Sequence, residues 1–265
     1  MNWINTQIKF MVSQWDSAIA TYYPEHRFSW EDPIEHFRCI NEEWNYLNAV
    51  QEINWQNYLL NNNLIVLELG AGTGWLSAFL SKFNSISSIY AVDSSQFFIN
   101  KMMPNIIKLM DGETVKITPV EGLFTPILFE DNSIDIVIAC SALHHVDNLE
   151  SVLKEVFRVL KPDGKFFILN ETPLNYFKYI LLLFKIMIKI LFNSILRKYK
   201  IMSQQISSNG ILYDPALGDR IFPLWLWKKT INKIGFSFEV IKTKYRTYKK
   251  KNKSGTYLYH FICIK

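Results

Sequence analysis

The chain of 265 residues is poor in the residue types that mark metal-binding, disulfide-rich and disordered proteins. Its three cysteines, Cys39, Cys140 and Cys263, are far apart and lack the spacing of metal ligands. We therefore expect free thiols, a cytoplasmic location and no metal site. Ten glycines and nine prolines argue against disorder, and an apolar content of 49% is enough for the core of one sizeable domain.

Strong charge and a secretion signal are also missing. The N-terminus has no basic segment followed by an apolar run, so we predict no signal peptide. The net charge is only +5, and much of the excess lies in residues 242–253. That segment contains only two aromatic residues and no recognised nucleic-acid module, so we expect no nucleic-acid partner. It is typical of a solvated loop between two strands, with attraction to an anionic surface as the alternative.

A long apolar segment at 174–196 is interrupted by Lys178, Lys185 and Lys189, which fall on one stripe of a helix. Each lysine at the centre of a bilayer would cost about 2.5–3.5 kcal/mol, so a membrane-spanning helix is disfavoured. Three alternatives stay open: a cap over an active site, packing in a homodimer, and peripheral contact with the inner face of a membrane.

The most informative segment is a strand-like run at 66–69 that leads into three alternating glycines and then into a helical pattern from Trp75. Glycine permits a positive φ and close approach of a ligand, and a helix N-terminus presents free N–H groups. These features indicate a nucleotide site. A dinucleotide motif would need glycine where Trp75 stands, which argues against an NAD-dependent oxidoreductase. Glu68, just before the turn, suits a ligand with a cationic end.

Later segments predict a doubly wound, Rossmann-like α/β sheet. A second strand ends at Asp93, where a carboxylate can bind ribose hydroxyls. Apolar runs at 134–139 and 166–169 do not alternate with polar residues, as expected of parallel strands buried on both faces. A helix at 223–234 and a hairpin of 236–244 and 256–264 predict an antiparallel last strand.

We predict four segments along the chain. They are an N-terminal helical lid at 1–60, an α/β core at 61–170, a helical cap insertion at 171–222, and a C-terminal helix and hairpin at 223–265. Within the lid, four aromatic or basic residues are candidates to face the pocket, and ordinary packing is their alternative role: Tyr22, Tyr23, His26 and Trp30.

Five motifs stand in the order of one known family: E-L-G-A-G-T-G at 68–74, the acid at 93, F-E-D-N-S-I-D at 129–135, A-L-H-H-V at 142–146 and L-K-P-D-G at 160–164. In these motifs the chain resembles the class I S-adenosylmethionine-dependent methyltransferases, in the small-molecule branch with an L-H-H motif. The resemblance covers residues 60–172 and implies S-adenosyl-L-methionine as cofactor and S-adenosyl-L-homocysteine as product.

The resemblance also implies which residues contact the cofactor. Asp93 would bind the ribose, and Glu121 with the two following residues would lie beside the adenine. Here Glu121 is farther from the Ile-Leu-Phe segment than in the family, and the family's proline is missing. The implied cofactor-binding residues are Glu68, Gly70, Ala71, Gly72, Gly74, Asp93, Ser94, Glu121, Gly122, Leu123, Cys140 and Ser141.

Methyl transfer from a sulfonium needs alignment of the acceptor, and it needs a base only when the acceptor keeps a proton. His144 and His145 are the candidate catalytic residues, since they follow a strand whose carboxyl end faces the ligand site. Glu171 and His26 are further base candidates, and structural packing is the alternative for both histidines. We expect methyl transfer to an oxygen or nitrogen of a small-molecule acceptor. The alternatives are a membrane-surface enzyme acting on a lipid or lipid-linked sugar, and a non-catalytic regulatory protein that binds the cofactor.

Overall fold

The structure is a computed structural model, and it describes residues 31–195, 205–207, 210–213, 219–247 and 255–265. The predicted pocket-facing residues Tyr22, Tyr23, His26 and Trp30 lie outside the described residues. The described part of the predicted lid segment begins with a short helix. Asp32 caps this helix by accepting hydrogen bonds from the backbone N–H groups of Ile34, at 2.8 Å, and Glu35, at 3.3 Å.

Nine strands are present in the described part of the chain. They are β1 (Leu64–Leu69), β2 (Ile86–Asp93), β3 (Ile117–Glu121), β4 (Ile134–Cys140), β5 (Leu160–Glu171), β6 (Gln205–Ile206), β7 (Leu212–Tyr213), β8 (Ser237–Arg246) and β9 (Tyr257–Ile264). Seven of them form one sheet in the order β3-β2-β1-β4-β5-β9-β8. Strand β9 runs antiparallel to both of its neighbours, and the pairs from β3 to β5 are parallel. The predicted fold class, including the antiparallel last strand, is confirmed.

Helices cover both faces of this sheet. They are α1 (Pro33–Arg38), α2 (Tyr46–Gln51), α3 (Trp75–Ser81), α4 (Met103–Leu109), α5 (Leu149–Val159), α6 (Tyr176–Ile195) and α7 (Leu224–Ile234). Helices α2, α3 and α4 pack on one face, and α5 and α7 pack on the other. Successive side chains of β1 point to opposite faces of the sheet, so Val66 packs in the first core and Leu67 in the second. Burial on both faces explains the unbroken apolar runs of the central strands.

Several local details differ from the sequence prediction. The sequence pattern predicts one helix at 95–110, but a π-helical turn, Phe98–Met102, precedes α4 there. Helical spacing from Trp44 to Tyr58 predicts a helix, and the structure divides it into α2 and a 3-10 turn, Trp55–Asn57. A strand is predicted from Val115, but β3 starts at Ile117, and Val115 is 93% exposed in a 3-10 turn.

The segment after β5 forms α6 and a small two-stranded sheet of β6 and β7, which the sequence did not predict. Helix α6 rests on the fold through two buried side chains, Tyr179 and Ile186, which pack with Leu212 of β7. Among the described residues, no helix combines the length and the hydropathy needed to cross a bilayer.

Candidate active site

The glycine turn between β1 and α3 has a positive φ at all three glycines: +71° at Gly70, +51° at Gly72 and +74° at Gly74. At two of them, close packing also leaves too little room for a Cβ atom. A Cβ at Gly70 would lie 2.6 Å from the Cβ of Ala142, and a Cβ at Gly74 would lie 2.5 Å from the Cγ of Met103. A Cβ at Gly72 would have no described atom within 4 Å. Gly72 therefore borders open space that a ligand can enter.

Asp93 at the end of β2 is fixed beside this turn. Its Oδ2 accepts a hydrogen bond from the Gly72 N–H at 2.7 Å, and its Oδ1 accepts one from the Ser95 N–H at 2.8 Å. Asp93 also pairs in register with Glu121, the last residue of β3. The half-buried Ser94 directly follows Asp93. The two acidic residues therefore end neighbouring strands at the edge that holds the glycine turn.

The segment after β3 continues along the same edge. The Gly122 N–H donates to the Asp93 carbonyl at 2.9 Å, and Leu123 follows, half-buried. Glu121 accepts a hydrogen bond from Gln96 at 3.0 Å. The structure therefore brings the residues predicted for the ribose and the adenine together. Their contacts with a cofactor stay predictions.

Glu68 is buried beneath the glycine turn, where the Ser77 hydroxyl donates a hydrogen bond to its Oε2. Burial, together with the negative charge of Asp93, raises the pKa of Glu68 to about 8. Ala71 forms part of the same turn and donates its N–H to the Val92 carbonyl at 2.9 Å. Glu68 can therefore carry a proton near neutral pH in the ligand-free protein.

A second group of residues lies where β4 and β5 end. Oε1 of Glu171 accepts hydrogen bonds from the N–H groups of Ala142, at 3.2 Å, and Leu143, at 3.0 Å. Oε2 of Glu171 lies 3.1 Å from Nδ1 of His144. Burial lowers the pKa of His144, but the charge and hydrogen bond of Glu171 outweigh it, so the pKa of His144 is raised.

His145 has a different environment although it is adjacent in sequence. Its Nδ1 lies 2.9 Å from Oδ1 of Asp219, and its ring centre lies 4.2 Å from that of His144. Burial and the positive charge of His144 lower the pKa of His145. The pKa of His144 is therefore shifted upward and that of His145 downward, although the two residues are neighbours.

A cavity of about 300 Å³ opens beside His144. Its polar wall includes Tyr46, whose hydroxyl lies 2.8 Å from the Ser141 hydroxyl. Burial raises the pKa of Tyr46, so its phenol stays protonated. The lining residues are Tyr46, Ser141, His144, Glu171, Thr172, Pro173, Asp219, Arg220, Ile221, Phe222, Trp227 and Thr247. The cavity adjoins the glycine turn through Ala142, which directly follows Ser141 and packs against Gly70.

Comparison with known families decides the identity of the core. Residues 67–168, which span the glycine turn, Asp93 and the histidine pair, match the family model described as a methyltransferase domain. This core belongs to the class I S-adenosylmethionine-dependent methyltransferases. The resemblance noted in the sequence motifs is thereby confirmed.

Curated relatives of this methyltransferase core match only part of their own length. A sterol 24-C-methyltransferase of Aspergillus fumigatus is 33% identical over 107 residues, which is 40% of this chain and 28% of that enzyme. An uncharacterised methyltransferase-like protein of Schizosaccharomyces pombe is 32% identical over 108 residues, covering 41% of this chain and 38% of that protein. The chain thus spans well under half the length of these relatives.

Solved structures share the fold of the methyltransferase core and of the segments around it. A 1,6-didemethyltoxoflavin-N1-methyltransferase of Burkholderia thailandensis, solved with S-adenosylhomocysteine, covers 96% of this chain and 89% of its own at a TM-score of 0.57 and 13% identity. A putative methyltransferase of Haloferax volcanii, solved in complex with the Trm112 methyltransferase activator, covers 90% of this chain and 96% of its own at a TM-score of 0.57 and 12% identity. These likenesses show the fold.

The candidate site also contains residues that the sequence analysis did not single out. His36 on α1 lies 2.9 Å from the Thr73 hydroxyl, within the glycine turn. Tyr46, Asp219 and Thr247 line the cavity from segments far from the family motifs. The only local sequence pattern near His36 is the helix start at Asp32 and Pro33, which places His36 within a short helix. No local sequence pattern marks Tyr46, Asp219 or Thr247, since only the folded sheet brings them together.

Cys140 lies at the end of β4 and accepts a hydrogen bond from the Asn170 amide at 3.2 Å. Burial raises the pKa of the Cys140 thiol well above its usual value, so it is a poor nucleophile. Its role beside the cofactor stays a prediction.

Among the residues that the structure describes, two clusters have possible metal-ligand atoms within 4.8 Å of one another: His144 with His145 and Asp219, and Glu35 with Cys39 and Glu43. In both clusters, side chains of the same chain already contact these groups. In the second, the Arg38 guanidinium lies 2.6 Å from both Glu35 and Glu43. The prediction that the chain has no metal site is left as a prediction.

Proposed function

We propose that the chain is an enzyme that transfers the methyl group of S-adenosylmethionine to an oxygen or nitrogen of a small-molecule acceptor held in the cavity. The observation that carries this proposal is the Glu171–His144 pair on the cavity wall, at the carboxyl ends of β4 and β5. In open α/β sheets, ligands bind outside these strand ends. The glycine turn and Asp93 lie at the same edge, so acceptor and cofactor can meet there.

The residues at this edge fit such a cofactor. Gly72 leaves open space, and Asp93 presents a fixed carboxylate that can accept further hydrogen bonds from ribose hydroxyls. Glu68 lies beneath the turn, and a cationic group bound nearby would lower its raised pKa and favour the charged carboxylate. We assign the other cofactor contacts to the residues that the family motifs indicate.

The cofactor would supply an electrophilic methyl carbon, and the chain would orient the acceptor and remove its proton. With Nδ1 of His144 donating to Glu171, Nε2 is the ring nitrogen that can accept the acceptor's proton. The acceptor would gain the methyl group in exchange for its proton, His144 would take up that proton, and S-adenosylhomocysteine would be the other product. The Glu171 carboxylate stabilises the imidazolium that results.

A second candidate is an enzyme that methylates a lipid or a lipid-linked sugar. Helix α6 supports it, because this helix begins three residues after Pro173 of the cavity wall and carries exposed apolar side chains. The names of several relatives refer to sterol methylation. A third candidate, a regulatory protein that binds the cofactor without turnover, is the outcome if binding is found and no acceptor is methylated.

Thermal shift with S-adenosylhomocysteine, NAD or buffer tests the cofactor. A ligand at 100 times its dissociation constant stabilises by about 2.7 kcal/mol, which corresponds to a shift of roughly 5–10 °C for a domain of this size. We expect this shift with S-adenosylhomocysteine only. Asp93→Ala should abolish it, and Glu130→Ala, an exposed acid, should retain it. A shift with NAD alone would overturn the proposal.

Turnover is then measured as formation of S-adenosylhomocysteine with panels of small hydroxyl and amine acceptors and of lipid acceptors. Methylation of a small acceptor that requires His144 supports the leading proposal. Methylation of lipids alone selects the second candidate, and binding with no turnover on any panel selects the third.

A further inference from the structure

Helix α6 presents a broad apolar surface that the described fold leaves uncovered. Its side chains at Phe177, Phe184 and Leu191 are 83%, 59% and 61% exposed. These three residues recur every seven positions and therefore lie on nearly the same side of the helix. Other exposed apolar residues widen this surface: Tyr176, Ile180, Leu181, Met187, Ile188 and Ile190.

A row of positive charge borders this apolar surface. Lys178, Lys185 and Lys189 are all exposed. Lys178 and Lys185 directly follow Phe177 and Phe184, so each lies about 100° further around the helix. The lysine row thus lies between the apolar surface and the side that Tyr179 and Ile186 bury against β7. The sequence of α6 contains no acidic residue.

This arrangement fits the interface of a lipid bilayer. Apolar side chains can enter the boundary between headgroups and acyl chains while the lysine stems extend their ammonium groups to anionic headgroups. A second copy of the chain fits less well, because pairing two α6 helices would bring two lysine rows together without an acidic partner on either helix.

The position of α6 connects this surface with the active site. The helix begins three residues after Pro173, and Leu174 accepts a hydrogen bond from Leu224 at the start of α7, at 2.8 Å. Trp225, on the first turn of α7, is also exposed. Exposed Tyr176 at the start of α6 and exposed Trp225 on α7 therefore flank the segment that lines the cavity. Trp and Tyr are enriched at membrane interfaces.

We propose that the exposed face of α6 docks on an anionic lipid surface and holds the cavity close to that surface. This docking does not depend on the methyl acceptor. It goes beyond the proposed activity because it assigns the chain a binding partner, an anionic bilayer, through a surface outside the active site.

The experiment is flotation of the full chain with vesicles of phosphatidylcholine, alone or mixed with phosphatidylglycerol, at low and high salt. We expect binding to the mixed vesicles that weakens with salt. Leu181→Asp with Phe184→Asp should abolish binding. The matched control is Val115→Asp with Leu60→Asp, two exposed apolar positions outside α6, and it should bind like the wild type.

Charge is tested separately with the triple variant Lys178→Gln, Lys185→Gln and Lys189→Gln. A lysine near an anionic surface contributes about 1 kcal/mol, so the triple variant should bind roughly 100-fold more weakly. Lys82→Gln, Lys101→Gln and Lys108→Gln remove the same charge from exposed positions elsewhere and should change binding little.

Two results would overturn the proposal. One is that the wild type fails to float with mixed vesicles at low salt. The other is that the Leu181 and Phe184 variant floats as well as wild type. If sedimentation also shows a dimer that this variant dissociates, the face is an interface between two copies. Thermal shift with S-adenosylhomocysteine is run on every variant, so that loss of docking is distinguished from failure of the proposed function.

Discussion

The Glu171 carboxylate and the His144 imidazole meet at the ends of two neighbouring strands, with Oε2 of Glu171 3.1 Å from Nδ1 of His144. The other carboxylate oxygen is held by two backbone N–H groups that precede His144. The buried acid is thereby fixed in position, and it orients one imidazole nitrogen toward itself. This relationship selects His144, and not its neighbour, as the proposed base.

Replacing His144 with Gln should lower kcat by about 10²–10⁴-fold, the usual range for loss of a general base. The thermal shift with S-adenosylhomocysteine should be unchanged, because the glycine turn is intact. His145→Gln is the matched control, since His145 pairs with Asp219 and is not among the cavity-lining residues. Equal losses in both variants would contradict the assignment of the base to His144.

The pH dependence of turnover should follow the raised pKa of His144. A base must be neutral, so kcat should fall as the pH drops through this pKa. In Glu171→Gln the opposing charge is lost while burial remains, so the pKa of His144 should decrease. The acid limb of the profile should therefore move to lower pH, together with a reduced maximal kcat. An unmoved limb would show that a different group controls it.

Glu68 should make the ligand-free protein less stable as pH rises. Its pKa is about 8 in the folded chain against an ordinary value of 4.5, so its stabilising contribution is complete below pH 4.5 and is lost as pH rises to 8. Each pKa unit between the folded and unfolded states corresponds to at most about 1.4 kcal/mol of unfolding free energy. Thermal unfolding at several pH values should show Glu68→Gln gaining stability over wild type across this window. The control Glu130→Gln should follow the wild-type curve.

Gly70 and Gly72 should respond differently to alanine. Both have a positive φ, which costs alanine about 1–2 kcal/mol. At Gly70 the new methyl group would also collide with Ala142, adding about 1–3 kcal/mol of overpacking. Gly70→Ala should therefore lower Tm more strongly. Gly72→Ala should fold but lose most of the thermal shift with S-adenosylhomocysteine, and a normal shift would place the ligand elsewhere.

The parts of the fold that follow from local pattern could be predicted from sequence. Apolar runs identified β4 and β5, and the glycine motif predicted the turn that lies beside Asp93, because each pattern depends on adjacent residues. The start of β3 could not be predicted, since nothing local shows that Val115 is exposed.

The candidate site could be predicted only in part. His144 and His145 are equivalent in sequence, and they differ only through their partners Glu171 and Asp219, one of which is 27 and the other 74 residues away. The contribution of Tyr46 depends on its contact with Ser141, which joins residues 95 positions apart. Such pairings become visible only when the sheet has formed.

The cavity wall has a further consequence for how substrate preference can change. Of the twelve lining residues in the described part of the chain, only Ser141 and His144 lie within 67–168, the segment that matches the methyltransferase family. The other ten come from α2, from the end of β5 and the two residues after it, from 219–227 and from Thr247. On the proposed function, substitutions in a few short segments would change the acceptor that the cavity holds while the segment proposed to bind the cofactor stays intact. Exchange of 172–173 and 219–222 between two related chains would be a direct route to altered acceptor preference.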